Sequence, residues 1–215
     1  MHRPLRAVIF DFDGVIVDSN ELKTEAFRQI FSRFPEHLEA MLAYHHAHVS
    51  LSRYDKFTYL VEERLGRKGD RRAIDELADE FAGLLRERMD TCALVPGARA
   101  MLEELAPRLP LYLASVTPEG ELERLLHVHR LRHNFVRVFG CPPWTKTGAV
   151  GAILDETGGP DGVALVGDSA GDQRAAAAHQ VTFIARDSGL PFDPPVTAIA
   201  SIPDIAALLR AHISA

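Results

Sequence analysis

Five short apolar runs separated by stretches of helical periodicity constrain this chain most. They fall at residues 5–10, 109–115, 136–139, 163–166 and 181–184. Continuous apolar runs of four to seven residues, closed by acidic or turn-forming residues, are how strands covered on both faces read. Their alternation with helices predicts an α/β protein built on a doubly wound parallel sheet. One stretch breaks the alternation, because residues 20–90 carry only helical patterns, including 53–65 and 73–89. That stretch reads as an inserted all-helical subdomain, with Pro35 and Gly66-Arg67-Lys68-Gly69 as helix boundaries and Pro96-Gly97 at the return to the sheet. The expected organisation is thus a core of 1–19 and 91–215 and a helical insert of 20–90.

With 215 residues, 47% of them hydrophobic, the chain can bury a core unaided, and a net charge of −6 gives no electrostatic footprint for nucleic acid. The N-terminal Met1-His2-Arg3-Pro4-Leu5-Arg6 leads into an apolar run too short for a leader or a membrane span, so a soluble cytoplasmic protein is expected. Cys92 and Cys141 stand in unrelated contexts, which predicts neither a disulfide framework nor a zinc site.

In a doubly wound sheet ligands bind beyond the carboxyl ends of the strands. The first run is followed there by Asp11-Phe12-Asp13-Gly14-Val15, whose alternation points two carboxylates to one side. The second ends on Ser115 with Thr117 beyond it. Lys146 precedes the fourth, which opens into Gly167-Asp168-Ser169-Ala170-Gly171-Asp172. Acids at the ends of different strands converge and repel, and a hard divalent cation with oxygen ligands, Mg2+ by preference, is the usual relief.

These motifs, in this order, resemble the haloacid dehalogenase superfamily, in particular its phosphoglycolate phosphatase and β-phosphoglucomutase branch with a helical cap. The resemblance implies that Asp11 is the nucleophile and becomes an aspartyl phosphate, and that Asp13 serves as general acid and base. It implies that Ser115 binds a phosphoryl oxygen and that Lys146 neutralises charge on both the phosphoryl group and Asp11. Asp168 would bind the metal, with Asp11, Asp13 and Asp172 completing the ligand set directly or through an intermediary. Gly14 belongs with the substrate-contacting positions. The insert would be the cap, closing over the site and reading the substrate.

Three features leave two readings each. Thr117 is a phosphate ligand or, the reading preferred here, the N-cap of the helix beginning near Pro118. Arg53 grips an anionic part of the substrate or is a surface arginine. His45, His46 and His48 invite a metal, although exposed histidines at a helix end fit the pattern better. Asp13 disfavours dehalogenation, since dehalogenases of the superfamily lack an acid there. Arg53, where phosphonoacetaldehyde hydrolases place their imine-forming lysine, disfavours phosphonate cleavage. The reading is a magnesium-dependent phosphomonoester hydrolase of small metabolites. A sugar-phosphate mutase is the main alternative, and a phosphorylation switch or non-catalytic binding protein lies further off. The sequence is silent on oligomeric state.

Overall fold

In the computed structural model residues 4–213 are described; Met1 to Arg3 of the N-terminal stretch discussed above lie outside them. The chain divides into two compact units, Met1–Asp18 with Ala93–Ala215, and Ser19–Cys92.

The first unit holds five parallel strands: β1 (Ala7–Phe10), β2 (Leu111–Ser115), β3 (Arg137–Gly140), β4 (Val163–Gly167) and β5 (Thr182–Ala185), in the order β3-β2-β1-β4-β5. All five apolar runs became strands. Every residue of β1, β2 and β4 is buried, as strands covered on both faces require. Burying side chains such as Ile9 and Phe10 contributes about 1.5–3 kcal/mol each, which lets strands this short hold. Phe10 pairs with Leu113 on one side and Val166 on the other, so the carboxyl ends of β1, β2 and β4 finish side by side. Asp11, Ser115 and Asp168 are neighbours for that reason.

Beyond β1 the chain turns tightly. Gly14 takes a φ of 69°, a left-handed value that suits a residue without Cβ. The Ile16 and Val17 amides both donate to the Phe12 carbonyl, and Gly14 N–H donates to Val17 O. The exit and return of the insert are then stitched together: Asp18 N–H donates to Ala93 O at 2.9 Å, and Val17 pairs antiparallel with Leu94.

The second unit contains α1 (Asn20–Phe31), α2 (Leu38–Ala47), α3 (Arg53–Thr58), a π-helical continuation at Tyr59–Arg64, and α4 (Arg71–Asp90). Along α4 the buried residues Ala73, Ile74, Leu77, Ala78, Phe81, Leu85 and Met89 follow the three-to-four spacing of an amphipathic helix. Phe27, Phe57 and Phe81 form its aromatic centre, with Phe27 and Phe81 centroids 4.3 Å apart. Ser52 and Asp55 form a capping box at the start of α3, and the Asp70 side chain accepts from Ala73 N–H at the start of α4. Gly66 and Gly69, both at positive φ, turn the chain between the π-helical segment and α4.

Five helices complete the first unit: α5 (Ala98–Leu105), α6 (Glu119–Val128), α7 (Lys146–Thr157), α8 (Ala170–Ala178) and α9 (Ile202–Arg210). Among the described residues no helix is long and apolar enough to cross a membrane. Among the described residues neither Cys92 nor Cys141 is in a disulfide.

Candidate active site

Asp11 leaves the end of β1 with its backbone N–H tied to Val166 O of the adjacent strand at 2.9 Å. Its Oδ1 accepts the Phe12 amide at 2.7 Å, and its Oδ2 lies 2.8 Å from Lys146 Nζ. Burial raises its pKa well above the usual carboxylate range. Asp172, Asp168 and Asp13 add to that rise, and Lys146 opposes it.

Lys146 is the first residue of α7, whose N-cap Thr145 accepts from Gly148 N–H. Its ammonium reaches both Asp11 and Asp172. Burial alone would depress this lysine, but Asp11 and Asp172 more than offset it and hold the amine charged, above its ordinary range. Asp172 sits in the first turn of α8, where it also accepts the Ser169 amide at 3.2 Å and the Ser169 hydroxyl. It comes this close because residue 167 is glycine: a Cβ there would stand 2.3 Å from Asp172 Cβ. Asp172 therefore takes part in the capping box of α8 and holds the Lys146 ammonium at the same time.

Carboxylate oxygens of Asp11, Asp168 and Asp172 all lie within 4.8 Å of one another, and all three residues are buried. With Asp13 that makes four carboxylates around the single ammonium of Lys146. Burial first, and then this excess of negative charge, holds the Asp11 pKa up. Buried, closely grouped oxygen donors with uncompensated charge suit a hard divalent cation, so the donor set fits Mg2+.

Asp13 faces another way. Its Oδ2 accepts from the Thr117 hydroxyl at 3.0 Å and lies 3.5 Å from the Ser115 hydroxyl, while Thr117 N–H donates to Ser115 Oγ at 3.1 Å. Thr117 is thus not a helix cap, contrary to the reading preferred from sequence. The N-cap of α6 is Pro118, with no side-chain cap bond. The Thr117 hydroxyl donates to this buried carboxylate in a charge-assisted bond.

The helical unit corrects two further expectations. Arg53 is not a surface arginine: it is 6% exposed, with its guanidinium 4.8 Å from the Phe81 ring centroid. His45 is not an exposed helix-end histidine either. It is buried, with Nε2 3.1 Å from Thr24 Oγ1, and burial, then Lys56 and His46, push its pKa down to about 3. His46 and His48 are exposed. The reading from sequence passed over Lys56, which is 2% exposed, 4.7 Å from the Phe27 centroid and bonded to Val49 O at 3.2 Å. A signal was present, since Arg53, Lys56, Phe57 and Leu60 have the spacing of a buried helical stripe.

Comparison with known proteins agrees with this geometry. Residues 8–186 match the family model of haloacid dehalogenase-like hydrolases. The chain belongs to that family, and the hydrolase class expected from its motifs stands. A phosphorylated carbohydrates phosphatase of Thermotoga maritima is 30% identical over 142 residues, 63% of this chain; the aligned part spans 62% of that relative's length. Two solved structures share the fold. A candidate β-phosphoglucomutase from Bacteroides vulgatus superposes with a TM-score of 0.78 at 18% identity, covering 99% of this chain and 91% of that one. A predicted phosphatase from Clostridium acetobutylicum superposes with a TM-score of 0.76 at 17% identity, covering 97% and 99%.

Proposed function

We propose that this hydrolase is a magnesium-dependent phosphomonoesterase acting on a small phosphorylated metabolite through an aspartyl phosphate on Asp11. The single observation that carries the reading is the Asp11–Lys146 contact of 2.8 Å inside a buried carboxylate cluster. A phosphate dianion is repelled by a carboxylate nucleophile, so attack requires cations held beside both. Lys146 is one. Mg2+, held by Asp11 and Asp168 with Asp172 and Asp13 nearby, would supply the rest of the charge compensation.

In the first half-reaction a carboxylate oxygen of Asp11 attacks phosphorus, the P–O bond to the ester breaks, and Asp13 gives its proton to the leaving alkoxide. In the second, Asp13 takes a proton from water, which attacks the phosphorus of the aspartyl phosphate and returns Asp11. The Ser115 and Thr117 hydroxyls hold Asp13 between steps and offer hydrogen bonds to phosphoryl oxygens. Gly14, without a side chain, leaves room beside Asp13 for the ester. Arg53 reads an anionic part of the substrate away from the transferring phosphate. Phosphorylated carbohydrates are the class to which the Thermotoga maritima relative points.

The test is a screen of sugar phosphates and small phosphorylated acids with purified protein and Mg2+, ranked by kcat/KM. Phosphate release with one preferred class supports the reading. Isomerisation of a sugar phosphate without net release replaces it with the mutase, and inertness toward every ester overturns it.

A further inference from the structure

Arg186 lies just beyond β5, two strands from the nucleophile, and the proposed chemistry does not use it. Its backbone is pinned on both sides: Arg186 N–H donates to Gly167 O at 2.8 Å, Ile199 N–H to Ala185 O at 2.8 Å, and Asp187 N–H to Ile199 O at 3.0 Å. From that fixed point the side chain reaches back over β4, and Nη1 donates to the Gly14 carbonyl at 2.7 Å. The residue therefore holds two loops at once. Its own amide grips the carbonyl immediately before Asp168, and its guanidinium grips the carbonyl immediately after Asp13.

Gly14 is where such a grip matters. At a φ of 69° and without Cβ, it has little of its own to limit rotation of the peptide that follows it. The loop satisfies its amides internally, through Gly14 N–H to Val17 O and the Ile16 and Val17 amides to Phe12 O, but the Gly14 carbonyl turns outward to Arg186. The guanidinium meanwhile leaves its Nε buried with no acceptor among the described residues. A buried unpaired donor is destabilising. A side chain kept only for stability would be poorly placed there, whereas one kept for the geometry of Gly14 is well placed.

We infer that Arg186 is a positioning residue: it ties the Gly14–Val15 peptide, one residue beyond Asp13, to the Asp168 end of β4 and so fixes the separation of the two acid-bearing loops. This rests on the reading of Asp13 as the proton-transfer group.

The experiment compares wild type, Arg186→Met and Arg186→Lys by turnover of p-nitrophenyl phosphate with Mg2+, thermal midpoint, and amide exchange over residues 13–17. Arg186→Met is expected to lower kcat about tenfold with KM within about twofold, the scale of a small misplacement of a reacting group. Exchange over 13–17 should quicken. Arg186→Lys, which can still donate to one carbonyl, should recover most of both. Three results overturn the inference: unchanged kcat and exchange in Arg186→Met, equal losses in both variants that follow the thermal midpoint, or a raised KM at constant kcat. If wild type releases no phosphate, the phosphatase reading fails by itself, and exchange over 13–17 still decides whether the brace exists.

Discussion

Of the four lysines, Lys56 is buried and Lys146 keeps 10% of its side chain exposed, and their surroundings are opposite. Lys146, in the sheet unit, lies against Asp11 and Asp172 and is held charged. Lys56, in the helical unit, lies against the Phe27 ring and a backbone carbonyl. Burial first, then the nearby Lys23, push its amine down to about 7, with only partial opposition from Asp55, whose Oδ2 is engaged by Ser52. Burial depresses any lysine, so the partner decides its charge. One lysine is a fixed cation and the other is poised to lose its proton near neutrality.

Removing the partner from the first lysine is the most severe way to break the comparison. Asp11→Asn is nearly isosteric but cannot attack phosphorus, and turnover should fall by about a thousandfold or more. The thermal midpoint should hold or rise, because one of the crowded acids becomes neutral. Residual activity of a few per cent, with contamination excluded, would end the covalent assignment. Chelation comes next: excess EDTA should abolish turnover. Added Mg2+ should raise the thermal midpoint of wild type but not of Asp168→Asn, as expected for a ligand that binds only the folded state. Full activity in chelator would give the acidic cluster another purpose.

Arg53→Ala sharpens the other side. If Arg53 grips the substrate, kcat/KM for the preferred metabolite should fall by about 2–3 kcal/mol of ΔΔG‡, with little change for p-nitrophenyl phosphate. Equal losses on both substrates would instead point to the lost packing on Phe81. The smallest effect concerns Lys56. Between about pH 7 and its ordinary 10.5, the unfolded chain holds a proton on this amine that the folded chain has released, so its contribution makes stability rise with pH. Lys56→Met should therefore stabilise most at or below pH 7, by roughly 1–3 kcal/mol, and progressively less toward pH 10. Urea unfolding across that range measures it; a gain independent of pH would mean that the amine is not depressed.

The sheet was legible because its strands are covered on both faces, and a run such as Ala7-Val8-Ile9-Phe10 can hardly serve another purpose. That Asp11, Ser115 and Asp168 come to one edge of the sheet was legible because neighbouring parallel strands end side by side. Thr117 misled for a physical reason: capping rules are local, and the carboxylate that captures its hydroxyl lies 104 residues away. The burial of Arg53 and Lys56 was legible only in their spacing with Phe57 and Leu60, which marks the inward face of a helix, because charge by itself suggests exposure. Arg186 carried no signal at all, since nothing in the order of residues announces that a side chain beyond β5 reaches the Gly14 carbonyl.

The stitch between Val17–Asp18 and Ala93–Leu94 has a consequence for how such a chain can change over time. The helical segment behaves as a guest whose two ends enter and leave the host at neighbouring points, closed by two backbone hydrogen bonds, Asp18 N–H to Ala93 O and Val95 N–H to Ile16 O, around one antiparallel pair. A guest attached in this way can be lengthened, shortened or exchanged without altering where the host strands end. Grafting another segment between Asp18 and Ala93 would leave Asp11 and Lys146 in register and alter only what the guest contributes. Reactivity and selectivity can then be inherited separately, one from the host and the other from whatever occupies the gap.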